Sequence, residues 1–161
     1  LFLYGSVKYL SFPFFNYFRY GIIRLFSKNF KTTYVGDGVT IMFPWRVSVA
    51  RTASLNRGTS IDGFGTVSIG EGVRIANNVS IYTADNDFSS TKEFIRDQGY
   101  RYGAVVIEDD VWIGGSVCIN KGVRIGKSAV VGCGAVVTKD IPPYSVAAGV
   151  PCKVVKYRGE I

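Results

Sequence analysis

IEDDVW, IGGSVC, INKGVR, IGKSAV, VGCGAV and VTKDIP, residues 107–142, decide the fold. Ile107, Ile113, Ile119, Ile125, Val131 and Val137 open successive units in an unbroken six-residue beat. Val111, Val117, Val123, Ala129, Ala135 and Ile141 follow four places later, with small or turn-forming residues between. An amphipathic helix repeats every 3.6 residues and a simple hairpin strand every two, so neither returns glycine at every sixth place. A parallel β-helix does: each unit is a short strand plus a turn, and about 18 residues complete one triangular coil. Coils then hydrogen-bond to one another at roughly 4.8 Å, and their aliphatic residues stack inside a prism.

Working backwards, the beat starts at Val35, Ile41 and Val47, slips by two to Val49, Leu55, Ile61 and Val67, and slips again to Ile69, Ile75 and Ile81. Each slip reads as a small insertion at a corner, where Gly, Asn and Asp tolerate the backbone required. The 26-residue step from Ile81 to Ile107 is larger. Its centre, residues 83–103, is polar, charged and aromatic without period, and reads as a functional excursion from the coil. Phe88, Phe94, Tyr100 and Tyr102 there offer apolar contacts to a neighbouring subunit. Downstream, Pro142 and Pro143 suit the last turn of a coil, and a short basic tail carries Lys153, Lys156 and Arg158.

The first 34 residues differ. Aromatic side chains crowd residues 1–30, the only charges there are Lys8, Arg19, Arg24 and Lys28, and no acid precedes Asp37. Pro13, Asn16 and the interior cations argue against a transmembrane span, and no small-residue cleavage site marks a secretory signal. One or two short helices are expected. They either cap the open first coil, which would otherwise expose its core, or lie in a membrane interface with cations on anionic lipid. The expected organisation is therefore a helical segment over 1–34 and a β-helix over 35–161.

Composition narrows the partners. The 161-residue chain carries a net charge of +7, which favours anionic ligands, but no nucleic-acid motif accompanies it. Cys118, Cys133 and Cys152 lack C-x-x-C spacing and read as small hydrophobes in a reducing compartment. Histidine is absent, which removes the commonest zinc ligand and the commonest general base together. No metal is expected.

Three tracts now carry a resemblance: VWIGGSVCINKGVRIG (111–126), VVTKDIPPYSVAAGVPCKVV (136–155), and NRGTSID (56–62) followed by SIGEGVRIANNVSIYTADNDFSS (68–90). The chain resembles the hexapeptide-repeat acetyltransferases of left-handed parallel β-helix fold, in the branch acting on galactosides, maltose, xenobiotics and exopolysaccharides. That resemblance implies an all-β solenoid, a homotrimer, and acyl transfer from acetyl-CoA in clefts between prisms. It implies cofactor contacts at Gly115, Cys133, Thr138, Lys139, Lys153 and Lys156, and acceptor contacts at Asn56, Asp62 and Asp85. Small residues let a pantetheine arm approach the backbone and cations match CoA phosphates, so the residue types suit these roles. Trp112 reads as packing.

One position departs from the pattern. The family's general-base histidine belongs in tracts of the form TADHDFSS; here residues 83–90 read TADNDFSS, with Asn86 in its place. An amide can position a hydroxyl but cannot take up its proton at neutral pH. Three explanations stay open: a substitution engineered to trap substrate, a natural loss leaving a binding-only relative, or Asp85 or Asp87 as a weaker base. The reading is an acetyl-CoA-dependent O-acetyltransferase scaffold acting on a sugar hydroxyl, free or lipid-linked, in cell-surface polysaccharide assembly. Its expected place is the cytoplasm or the inner face of the membrane. The rivals are a non-catalytic saccharide- or CoA-binding homologue and an amino-sugar N-acetyltransferase; a zinc enzyme on this fold fails for want of histidines.

Overall fold

An inward aliphatic residue in a parallel coil needs a like neighbour above and below, so a beat written along the chain becomes vertical stacks. The computed structural model describes residues 2–10, 14–32 and 34–159. The first coil holds β1 (Tyr34–Val35) and β2 (Thr40–Ile41). The second holds β3 (Val47–Val49), β4 (Ser54–Leu55) and β5 (Ser60–Ile61), and the third β6 (Val67–Ile69), β7 (Arg74–Ile75) and β8 (Ser80–Ile81). After β9 (Ala84–Asn86) and β10 (Tyr100–Tyr102) the fourth coil has β11 (Val105–Ile107), β12 (Trp112–Ile113) and β13 (Cys118–Ile119). The fifth has β14 (Arg124–Ile125), β15 (Val130–Val131) and β16 (Val136–Val137), and β17 (Ser145–Ala148) and β18 (Lys153–Tyr157) close the chain.

These strands form a left-handed parallel β-helix with three faces. The first face stacks β3, β6, β11 and β14, the second runs β1, β4, β7, β12, β15, β17 and β18, and the third is β2, β5, β8, β13 and β16. The registers place Leu55 on Ile75, Ile75 on Ile113 and Ile113 on Val131, all essentially inaccessible. The third face repeats the motif with Ile61, Ile81, Ile119 and Val137.

Stacking begins earlier than expected. Phe30 is fully buried and bridges Val49 in parallel, so the first inward rung lies five residues before Val35, inside the stretch assigned from sequence to the helical segment. This end rung is filled by an aromatic residue, which a beat of aliphatic residues does not signal.

Two edges of the prism are plain. Apart from Thr52, the third residue of their turns lies in the left-handed region: Gly38, Gly58, Asn78, Ser116 and Gly134 on one, Gly72, Asp110, Ser128 and Tyr144 on the other, with φ between 57° and 71°. The first residue meets the next coil. A Cβ on Gly114 would sit 2.6 Å from Cys133 N, and one on Gly126 2.5 Å from Pro143 N, which is why Ile-Gly recurs.

Helices α1 (Phe2–Val7) and α2 (Phe14–Phe26) cover the first coil. Ile23 joins the core, Tyr4 and Tyr20 pack against it, and the Tyr4 hydroxyl donates to Val39 O at 2.8 Å. Burial pushes the Tyr4 hydroxyl up to about 12. Arg19 is buried, donating to the carbonyls of Val35 (2.8 Å), Leu10 (2.8 Å) and Val7 (3.2 Å) and to Asn16 Oδ1. One cation thus satisfies carbonyls that a coil end and a helix end leave open. Phe12 and Pro13, part of the sequence argument for this segment, lie outside the described residues. No described helix is long and apolar enough to cross a membrane.

At the other end, the basic tail is a strand rather than a loose extension: β18 turns back antiparallel on β17. All three cysteines are free, and Cys152 packs against the core as a small hydrophobe; Cys118 is half-buried on an outward strand position, and Cys133, at a turn, is exposed, which differs from expectation.

Candidate active site

The remaining edge joins the third face to the first and receives every insertion. Residues 42–46 form its first turn, with a 3-10 helix at Pro44–Arg46, and residues 62–66 its second. The excursion is its third, and residues 120–122 and 138–140 return to tight turns. Both two-residue slips and the 26-residue step are therefore one phenomenon, stacked on one edge.

The excursion is ordered. β9 and β10 pair antiparallel, Ala84 against Tyr102, Asp85 against Arg101 and Asn86 against Tyr100. Its root is fastened by Asp62, whose carboxylate accepts from Thr83 N at 2.9 and 3.0 Å and from the Thr83 hydroxyl. Thr83 Oγ1 accepts from Gly65 N at 2.8 Å, and Gly103 N donates to Thr83 O at 2.9 Å. Thr83 is completely buried, so these bonds supply partners that water cannot. Lys121 Nζ reaches Asp85 at 3.1 Å and ties the hairpin to the coil below.

Between this hairpin and the second turn lies a cavity of about 480 Å3 lined by Asp62, Phe64, Asp85, Asn86, Phe88 and Tyr100, with Ala84 and Ile95. Phe43, Phe64, Tyr102 and Tyr100 continue the wall as a file of rings with centroids 5.0, 6.5 and 6.4 Å apart. Carboxylates and an amide beside aromatic faces suit a polyhydroxylated ligand, whose hydroxyls bond in the plane of the sugar and whose C–H faces stack on rings.

Arg101 holds the Asp87 carboxyl down to about 2, helped by the Ser89 N–H; the Arg101 Nε to Asp87 distance is 2.9 Å. Such a carboxylate is a poor proton acceptor at neutral pH. Asn86 is exposed, and among the described residues its side chain makes no hydrogen bond.

The structure brings Asp62, Asp85 and Asn86 together on one cavity wall. Asn56 lies elsewhere, on a plain edge, where its side-chain amide donates to Ile75 O at 2.8 Å. Gly115 and Cys133 share that plain edge, with Gly134 N donating to Gly115 O at 2.8 Å. Thr138 and Lys139 are exposed on the inserted edge, and Lys153 and Lys156 on β18. These residues are of the right kinds for a CoA tail, cations for phosphate and small residues for backbone approach, but one chain distributes them over two edges and a face. Gly114, not Gly115, is the glycine whose backbone closely abuts the next coil; a Cβ on Gly115 would find its nearest neighbour, Asn77 O, 3.5 Å away. Trp112 is 55% exposed and points outward, so it is not core packing. Phe64, Thr83, Ile95 and Lys121 were missed by sequence reasoning. Phe64 was signalled by the slip at which it sits, the other three by nothing in the beat.

Among known proteins, the family described as hexapeptide repeat of succinyl-transferase matches residues 104–139. Galactoside O-acetyltransferase of Escherichia coli K12 is 36% identical over 136 residues, covering 84% of this chain and 66% of that protein. The chain thus spans about two thirds of that relative's length. A maltose O-acetyltransferase from Clostridium difficile 630 superposes with a TM-score of 0.79 at 32% identity, over 98% of this chain and 83% of the other. A hexapeptide-repeat acetyltransferase from Vibrio cholerae, solved with acetyl coenzyme A, gives a TM-score of 0.85 at 26% identity, over 96% and 82%.

Proposed function

Because the chain belongs to the hexapeptide-repeat acetyltransferases, we propose that it takes acetyl-CoA as donor and serves acetyl transfer to a sugar hydroxyl in cell-surface polysaccharide assembly. Asn86 stands at the position of the family's base. The observation that carries this reading is its placement: Asn86 lines the 480 Å3 cavity beside Asp62 and Asp85, under aromatic rings, on the edge that holds every insertion.

When bound, the donor supplies a thioester carbonyl for attack. As the acceptor oxygen bonds to that carbon the C–S bond breaks, CoA departs as thiolate, and the proton lost by the hydroxyl must be carried off and end on that sulfur, giving the free thiol. Asn86 can hold the hydroxyl through its amide oxygen but cannot accept the proton. Asp87 is locked to Arg101 and Asp85 is engaged by Lys121, so neither replaces an imidazole. The site orients an acceptor without activating it. Gly115, Cys133, Thr138, Lys139, Lys153 and Lys156 would serve the donor, with the plain edge of one prism facing the inserted edge of another in a homotrimer. Asn56 would reach the acceptor across the same junction.

Asn86→His in the full chain should raise acetyl transfer from acetyl-CoA to a saccharide panel by at least about a hundredfold, read as released thiol. No gain sinks the reading of an acetyltransferase lacking only its base. Calorimetry with CoA separates this from a structural solenoid, for which no heat would appear at about millimolar ligand.

The same residue supports a second reading, transfer to an amino sugar. A neutral amine is nucleophilic without a base, so the absence of histidine impairs it less. An alkali-stable amide product from the unmodified chain would favour it over an alkali-labile ester.

A further inference from the structure

The cap has two apolar sides, and the coil uses only one. Ile22 and Ile23 of α2 face the core together with Arg19. On the opposite side Phe14, Tyr17, Phe18 and Leu25 follow helical spacing and are 56%, 67%, 47% and 78% exposed. Tyr9 and Leu10, after α1, extend this surface. Its flank continues over Phe26 into a groove of about 410 Å3 between the cap and the first coil, walled by Tyr4, Met42, Phe43 and Trp45.

A solvated helix does not need rings on its outer stripe, and contiguous apolar surface of this kind marks a contact. The charges around it have one sign. Lys8, Arg24 and Lys28 border the stripe, Arg24 and Lys28 exposed and Lys8 half-buried, with Lys8 Nζ 4.9 Å from the Tyr9 ring and Arg24 donating to Lys28 O. No acid precedes Asp37. Aromatic residues amid cations, on helices too short to span a bilayer, match the headgroup region of an anionic membrane, where rings bury at the acyl boundary and cations stay at phosphate depth. The same patch set against itself in a second copy would oppose cations to cations.

We propose that the outer face of the helical cap docks the protein on an anionic lipid surface, with Phe14, Tyr17, Phe18 and Leu25 inserted and Lys8, Arg24 and Lys28 on the headgroups. This holds whether or not the cavity is catalytic, because it rests on the opposite face of a different element.

The test is flotation of the full chain with vesicles of phosphatidylcholine alone or with 30% phosphatidylglycerol, roughly a physiological anionic fraction. Binding should require the anionic lipid and fall at least about tenfold on raising salt from 0.1 to 0.5 M, as screening predicts. Phe14→Ser/Phe18→Ser/Leu25→Ser should lower it at least about tenfold with circular dichroism unchanged. Should that triple variant fail to fold, Arg24→Glu/Lys28→Glu, at two exposed positions, decides alone by the same loss. Absence of binding to anionic vesicles, or equal binding by the variants, overturns the proposal. So does a triple variant whose sedimentation shows a smaller assembly than the parent, since the face would then be a contact between copies.

Discussion

The plain edges and the inserted edge are built on the same coils and share their cores, yet they answer opposite demands. On a plain edge the chain turns in four residues, and at Gly114 and Gly126 the first of them lies directly against the backbone of the next coil, where a methyl group has no room. On the inserted edge the two turns of equal length at 42–46 and 62–66 are followed by the full hairpin, and the coils on either side of it remain in register, Val67 on Val105 and Ile69 on Ile107. A solenoid isolates function from stability by corner: the faces fix the height of each rung, and one corner is left to vary.

The sharpest way to break this contrast is to make all three edges alike. Replacing residues 82–104 with the Asn-Lys-Gly that forms the next turn on that edge, residues 120–122, should leave a folded β-helix whose thermal midpoint falls by less than about 5 °C. Relative to the Asn86→His protein its acetyl transfer should drop to background. A collapsed fold would show that the hairpin carries the prism.

The converse experiment attacks a plain edge. Gly114→Ala should cost about 2 kcal/mol in urea unfolding, because the new methyl meets backbone 2.6 Å away that cannot yield without moving a coil. Gly115→Ala next to it, with 3.5 Å of clearance, should cost less than about 0.5 kcal/mol. If it weakens CoA all the same, the loss belongs to the ligand. Tyr144→Gly should stabilise by about 1 kcal/mol, since its φ of 60° strains an L-residue and its ring is half exposed.

The smallest effect is confined to the hairpin. Asp87, depressed to about 2 by Arg101, contributes stability that is present above the ordinary value of 3.8 and is lost as pH falls through 2. Protection of the amides of Gly99–Tyr102, taken relative to the unstructured rate at each pH, should therefore fall between pH 4 and 2, and Asp87→Asn should remove that pH step while protection in β12 stays unchanged.

What the sequence made legible follows the same division. The beat from Val35 to Val137 is visible because each inward position sees the same environment in every coil. The slips showed where it was interrupted, and Asn86 was visible by likeness to TADHDFSS. Phe30 escaped because an end rung has no coil beyond it and takes a different size. Asn56 was placed near the acceptor on its motif; that its amide donates to Ile75 O on a plain edge is a fact of edge geometry that no linear motif carries. Thr83 and Lys121 owe their roles to neighbours 21 and 36 residues away, Asp62 and Asp85.

The two ends of the prism are closed by elements that do not repeat, Arg19 and its helices at one and the reversed strand β18 at the other. A parallel ladder left open at either end is a template on which an identical rung can grow. In this light α2 and β18 are terminators: one covers core and the other takes up ladder hydrogen bonds, so each withholds a surface that an identical rung would otherwise meet.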